Sequence, residues 1–242
     1  MSVKDQNKAL SNFIADYSVK HNCQYTLKAL QAITEISPLM NDKVEIDNYL
    51  NHCLSIAKML IELNVPFSSH DMDVALASTL THTLTKNIKP FSYSMLKKYE
   101  FCDEIITVLK TITIKEFYNE EEVKAFYDKL KKNKIALIVR LFERSNLVER
   151  LHIETLTRAK YQISETKKLF FPMCVYAKEH YPEFTPAINI IMEKMRSLIF
   201  LSEILMNRFA VVEAELNDEI INLQEENARI RAAISRLEKK PE

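Results

Sequence analysis

The chain has 242 residues, no glycine, and 33 basic against 33 acidic side chains, which gives a formal net charge of zero. The absence of glycine excludes P-loop, dinucleotide-binding and protein-kinase phosphate loops, because each needs glycine where the backbone approaches a phosphate. Zero net charge gives no electrostatic case for binding nucleic acid or an anionic membrane, so neither partner is expected.

The cysteines and the first residues predict a cytoplasmic protein. Four cysteines lie far apart with no CxxC pair, which is typical of reduced, buried thiols in an intracellular protein. The first ten residues lack the apolar core of a signal peptide. No uncharged stretch approaches the roughly 18 apolar residues of a membrane span.

Helical periodicity runs along the chain and predicts an all-α fold. The predicted helices cover residues 2–20, 24–36, 46–64, 71–87, 101–112, 119–131, 133–151 and 154–180, followed by one long helix from Pro186. Thr185 is predicted as the N-cap of that helix, because threonine followed by proline is a favoured helix start. Two segments are ambiguous: residues 78–85 alternate like a strand, and residues 111–114 are β-branched and could be extended.

The C-terminal part of the chain carries a heptad repeat of apolar residues. Its seam consists of Leu216, Ile220, Leu223, Asn227, Ile230, Ile234 and Leu237. An asparagine at an a position favours two parallel strands, and Glu226 would then face Arg231 of the partner. We therefore predict a helical domain over residues 1–185 and a long helix with a C-terminal coiled coil over residues 186–242, which forms a parallel homodimer. Packing of the seam on the chain's own domain, or pairing with another protein, are the alternatives.

Two histidines are predicted to face inward from separate helices. His52 shares a helix face with large apolar residues, and His82 shares one with small residues that let helices approach. Two inward imidazoles can ligate a metal. The simpler interpretation is a pair of buried histidines hydrogen-bonded to backbone or hydroxyl groups, and these residues alone favour it.

The order of several motifs resembles the HD-type hydrolase domain of RelA/SpoT proteins, which hydrolyse (p)ppGpp. Tyr49 and His52 match the family's Tyr-x-x-His, and His82 stands at its second histidine motif. The later landmarks are similar to YEFCDEIITVLKTIT, to IALIVRLFERSN, and to the pair Glu165-Thr166 with Phe170 and Pro172. The resemblance covers about residues 25–180 and implies an HD-domain-like helical bundle in which residues 78–85 are helical.

The departures from the family pattern bear on function. The resemblance implies that two histidines and two aspartates hold manganese, and that a Glu-Asp pair acts on the attacking water. Here Thr83 and Glu143 stand at the aspartate positions, and Lys86-Asn87 replaces the Glu-Asp pair. Thr83 removes a charged oxygen ligand, and Lys86 reverses a charge. We therefore expect a non-catalytic regulatory or scaffolding protein, with no catalytic residue and no (p)ppGpp hydrolysis.

Two alternatives stay open at this point. His52, His82 and Glu143 form a set of two imidazoles and one carboxylate, which can bind manganese or another divalent metal. A metal there would support a metal-dependent HD phosphohydrolase acting on a nucleotide; otherwise no cofactor is expected. Lys86 and Asn87 could instead bind a phosphate without cleaving it, which would make the protein a sensor of guanosine polyphosphates.

Overall fold

The computed structural model describes residues 2–36, 43–87, 93–113 and 120–238, and these are helical almost throughout. For residues 36, 43–45, 86–87, 120, 232–233 and 235–238 it describes the backbone alone. The α-helices are α1 (Val3–His21), α2 (Gln24–Ile36), α3 (Lys43–Glu62), α4 (Ser69–Asn87), α5 (Tyr93–Lys98), α6 (Asp103–Ile112), α7 (Glu120–Lys131), α8 (Lys134–Glu149), α9 (Leu156–Glu165), α10 (Phe171–His180) and α11 (Thr185–Glu238). The protein is all-α with a long C-terminal helix, as the periodicity predicted.

The ambiguous segment 78–85 is helical and lies within α4. Two of its buried threonines satisfy their hydroxyls inside the helix: Thr79 donates to the Ala75 carbonyl at 2.8 Å and Thr81 to the Ala77 carbonyl at 2.7 Å. Hydrogen bonds of this kind let threonine occupy a buried helix without an unpaired polar group. The strand-like alternation therefore reflects small polar residues at helix contacts.

Three local predictions differ from the structure. Helix α5 has six residues, too few for a periodic pattern to reveal it. A π-helical turn, Thr166–Phe170, interrupts the segment predicted as one continuous helix over 154–180. Thr185 has helical backbone angles (φ −51°, ψ −43°), so it is not the predicted N-cap, and the 3₁₀ turn Pro182–Phe184 leads into α11 instead.

Turns without glycine depend on other residues with positive φ. Within the described ranges these are Asn22 (57°), Asn64 (45°) and Glu100 (56°). Asparagine tolerates this region because its short side chain can hydrogen-bond locally. Glu100 lacks that advantage, but its carboxylate accepts a hydrogen bond from Lys28 Nζ at 2.7 Å.

The chain forms two compact units, Met1–Arg196 and Ser197–Glu242. In the first unit, α4 contacts α2, α3 and α6, while α8 contacts α3, α4, α6, α7 and α10. Every side chain of α8 from residue 135 to 146 is buried, so polar residues of this helix must find partners inside the core. The predicted boundary at 185/186 coincides with the start of α11, and as a domain division it stays a prediction.

A carboxylate on α4 fixes the start of α2. Asp73 accepts hydrogen bonds from the backbone N–H groups of Thr26 at 2.7 Å and Tyr25 at 3.0 Å, and from the Thr26 hydroxyl at 2.7 Å. A negative side chain at a helix N-terminus satisfies unpaired donors and complements the helix dipole. Asp73 therefore caps α2 from another helix and holds the two together.

No helix in the described ranges is both long and apolar enough to cross a membrane.

Candidate functional site

Three packed helices bring the predicted site residues together. Helix α3 supplies Tyr49 and His52, α4 supplies His82, and α8 supplies Glu143. His52 Nε2 lies 3.8 Å from Glu143 Oε1, and the Tyr49 hydroxyl and His82 Nδ1 share a hydrogen bond of 3.2 Å. Both histidines and Glu143 are buried. The sequence separations of these residues are large, so their convergence is a property of the helix packing.

The second ring nitrogen of His52 is fixed by an amide. His52 Nδ1 donates to Asn146 Oδ1 at 2.6 Å, while Asn146 Nδ2 donates to Glu149 Oε2 at 3.1 Å, which sets the amide orientation. Glu149 is in turn ion-paired with Lys194. This chain of contacts turns His52 Nε2 toward Glu143, and metal-ligating histidines in general have such a partner on their other nitrogen.

Glu143 is paired with a buried cation, the guanidinium of Arg140. Arg140, one turn earlier on α8, forms a salt bridge from Nη1 to Glu143 Oε2, and both side chains are buried. Burial alone would raise the pKa of Glu143, but the Arg140 guanidinium, together with His52 and His82, holds that pKa well below its ordinary value of 4.5. Glu143 is thus a buried carboxylate whose charge is already balanced by a side chain of the same helix.

A second buried ion pair lies next to the first. Arg144 pairs with Glu165, and its guanidinium sits 4.0 Å from the centre of the Phe170 ring. The Tyr127 hydroxyl donates to Glu165 Oε1 at 3.3 Å. Glu165 directly precedes the π-helical turn Thr166–Phe170, and Phe170 is the last residue of that turn. Arg144 therefore contacts Glu165 and Phe170. Arg144 belongs to the segment IALIVRLFERSN, whereas Glu165 and Phe170 belong to the later motif, so two of the motifs meet in the structure.

The aspartate position that Thr83 occupies carries no charge. Thr83 lies beside the thiol of Cys53, and burial raises the pKa of that thiol to about 12. A threonine and a protonated thiol supply no negative charge for a hard cation. The side chains of Lys86 and Asn87 lie outside the described residues, so their phosphate-binding role stays a prediction.

The predicted metal set is only partly organised for a metal. A gap of 3.8 Å between His52 Nε2 and Glu143 Oε1 could span a cation bound to each at about 2.0–2.2 Å. However, the other oxygen of Glu143 is engaged by Arg140. Within the part of the chain that the structure describes, no three His, Cys, Asp or Glu side chains form a group that could hold a metal ion. Metal binding by His52, His82 and Glu143 stays a prediction.

Sequence reasoning found Tyr49, His52, His82 and Glu143, but it missed Arg140 and Asn146. The Arg140–Glu143 spacing of three residues on a predicted helix is a signal that could have revealed the ion pair. The contact of Asn146 with His52 joins residues 94 positions apart, and nothing in the local sequence indicates it.

No family model, curated protein or solved structure matches the chain.

Proposed function

We propose that this chain is a non-catalytic regulatory or scaffolding protein with an HD-domain-like helical domain, and that two copies join through a parallel C-terminal coiled coil. The observation that carries the proposal is the exposed heptad seam of the second compact unit. Its five described apolar members are each 49–53% exposed: Leu216, Ile220, Leu223, Ile230 and Ile234. A helix with such a stripe gains stability when a second helix covers it.

Polar residues in the seam and beside it favour a parallel pair in register. In the single helix, Asn227 Nδ2 donates to the carbonyl of Leu223 at 3.1 Å and the side chain is exposed. Two such amides can hydrogen-bond across the axis of a parallel dimer, and Glu226 then lies beside Arg231 of the other copy. The same residues thus supply both the partner preference and the register.

The buried site supports a protein without hydrolytic activity. The carboxylate that the resemblance assigns to a metal is paired with Arg140, and the other aspartate position is a neutral threonine beside a buried thiol. A fixed guanidinium next to the would-be metal carboxylate repels a divalent ion. We infer from these contacts that the charges a metal-dependent hydrolase would need are balanced within this helical domain.

Light scattering at low micromolar concentration tests the dimer. The full chain is expected at the mass of two copies, and Leu223→Asp at the mass of one, because an aspartate would be buried in the seam. Glu225→Ala, at the outward f position of the same helix, is the matched control and leaves the dimer intact. A mass unchanged by Leu223→Asp would place the interface elsewhere and refute the coiled coil.

A turnover assay with (p)ppGpp and added Mn²⁺ tests the absence of catalysis. We expect no hydrolysis above the control without protein, since loss of general acid–base groups alone costs about 10²–10⁴-fold in rate. Hydrolysis that is abolished by His82→Ala would contradict the proposal.

A functioning metal-dependent HD phosphohydrolase is the second candidate. The observation in its favour is the geometry of His52, whose Nδ1 is fixed by Asn146 and whose Nε2 faces Glu143. Metal analysis of the purified protein distinguishes the two functions: one Mn²⁺ per chain, lost in His52→Ala and kept in the surface control His152→Ala, would favour the enzyme.

A further inference from the structure

The second compact unit contains a segment that is apolar around most of the helix. We call residues 198–212 the apolar collar; Glu203 and Arg208 are its charged residues. Downstream of the collar, charged and polar residues surround a narrow seam. A helix that is apolar on several sides is normally covered on several sides, whereas the seam partner covers one.

The collar has a second line of exposed residues opposite the seam, three apolar and one polar. This far lane consists of Phe200, Ile204, Asn207 and Val211, at spacings of four, three and four. Residues nine positions apart are two and a half turns apart at 3.6 residues per turn, so Val211 lies opposite Ile220 of the seam. Phe200, Ile204 and Val211 are 63%, 40% and 58% exposed. One partner helix cannot cover two opposite sides.

The charges beside the far lane match those beside the seam. Glu203 and Arg208 flank the lane at the g and e positions, five residues apart, just as Glu226 and Arg231 flank the seam. In a parallel, in-register pair, Glu203 of each copy meets Arg208 of the other, which is the favourable g–e′ match of coiled coils. The lane also contains one asparagine, Asn207, which lies at a d position, whereas Asn227 of the seam lies at an a position. The far lane is therefore complementary to itself.

We infer that the far lane is a second self-association surface, which pairs in parallel and in register with the far lane of another copy. Dimers joined by the seam then associate further. The inference rests on the proposed dimer for its starting unit but uses different residues. The lane spans about two heptads, which is marginal for a coiled coil alone, so the association is concentration-dependent.

Molar mass of the full chain across a concentration series tests the inference. Between low and high micromolar concentration the mass is expected to rise at least twofold above the dimer. Ile204→Asp is expected to hold the mass at two copies throughout. Val19→Asp adds the same charge at an exposed valine of α1, and it should behave as the unsubstituted chain.

A charge exchange tests the parallel register. Glu203→Arg places like charges together and is expected to abolish the rise in mass, and the double variant Glu203→Arg with Arg208→Glu restores it. A mass that stays at two copies in the unsubstituted chain, or a rise that Ile204→Asp leaves unchanged, would overturn the inference. Binding to neutral lipid vesicles that Ile204→Asp abolishes, with no change in mass, would assign the lane to a membrane surface and would also overturn it.

The Leu223→Asp variant separates this inference from the proposed function. If Leu223→Asp leaves the mass unchanged while Ile204→Asp lowers it, the seam dimer is wrong and the far lane stands. If Leu223→Asp lowers the mass while Ile204→Asp does not, the dimer stands and the far-lane inference is wrong.

Discussion

Removal of Arg140 should expose how strongly the buried site depends on its internal cation. In Arg140→Met the long apolar stem is kept but the guanidinium is lost, so Glu143 stays buried without its main partner. Two opposite charges about 4 Å apart attract by about 4 kcal/mol at an effective dielectric constant near 20. Breaking a buried pair by removing one partner costs about 3–5 kcal/mol. We expect a loss in that range at pH 7.

The assay is chemical denaturation followed by circular dichroism, since the chain has no tryptophan. Arg196→Met is the matched control, because Arg196 also pairs with a glutamate three residues away on one helix, but both side chains are exposed. An exposed pair is worth about 1 kcal/mol or less. The double variant Arg140→Met with Glu143→Gln removes the unpaired charge and should recover much of the loss.

The pH dependence of the Arg140→Met variant provides an independent check. Without Arg140, burial is expected to raise the pKa of Glu143 above its ordinary value. A group whose folded pKa is raised stabilises the fold below its unfolded pKa and loses that contribution as pH rises. The deficit of Arg140→Met against the unsubstituted protein should therefore shrink as the pH is lowered from 7 toward 5. A deficit no larger than that of Arg196→Met, or one independent of pH, would refute the buried ion pair.

Three further predictions concern other parts of the molecule. Asp73→Ala should lower the free energy of unfolding by about 1–2 kcal/mol or more through loss of the α2 cap; a change as small as that of the exposed control Asp103→Ala, measured by denaturation, would contradict it. In the unsubstituted protein the depressed pKa of Glu143 stabilises the fold fully above about pH 4.5, and this contribution is lost as pH falls through the folded pKa. The free energy of unfolding should therefore fall more steeply with decreasing pH in the unsubstituted protein than in Glu143→Gln. Equal slopes of the two proteins below pH 4.5 would contradict this. Asn227→Ile should raise the melting temperature of the coiled coil and loosen its preference for two strands; light scattering that shows dimers alone, with a lower melting temperature, would argue against Asn227 in the seam.

The fold class could be predicted because periodicity reports which face of a helix is buried. The segment 78–85 shows the limit of local pattern, since its threonines suggest a strand until their hydroxyls are seen to bond within α4. The resemblance predicted this helix correctly. Helix α5 and the π-helical turn Thr166–Phe170 were not predictable, because short elements depend on tertiary contacts more than on their own residues.

The sequence predicted which residues of the candidate site are buried, but not which side chains they contact. His52 and His82 were expected to face inward, and both are buried. Asn146 lies in the quoted segment IALIVRLFERSN but was not singled out, yet it orients His52 from another helix. Arg140 was not singled out, although its charge decides the ionisation of Glu143. The His52–Asn146 contact joins helices distant in sequence, so only the packed structure reveals it. The Arg140–Glu143 pair lies within α8, and its three-residue spacing is visible in the sequence.

The parallel seam dimer is the central claim, and disulfide cross-linking tests it most directly. In a parallel, in-register pair each residue of the seam meets its own copy, so Ile220→Cys should form an interchain disulfide with itself under mild oxidation. In an antiparallel pair centred on Asn227, residue 220 would instead meet residue 234. We expect the two-chain species from Ile220→Cys alone, and none from the outward control Glu225→Cys. A cross-link that appears only when Ile220→Cys is mixed with Ile234→Cys, or no cross-link in any sample, would contradict the account.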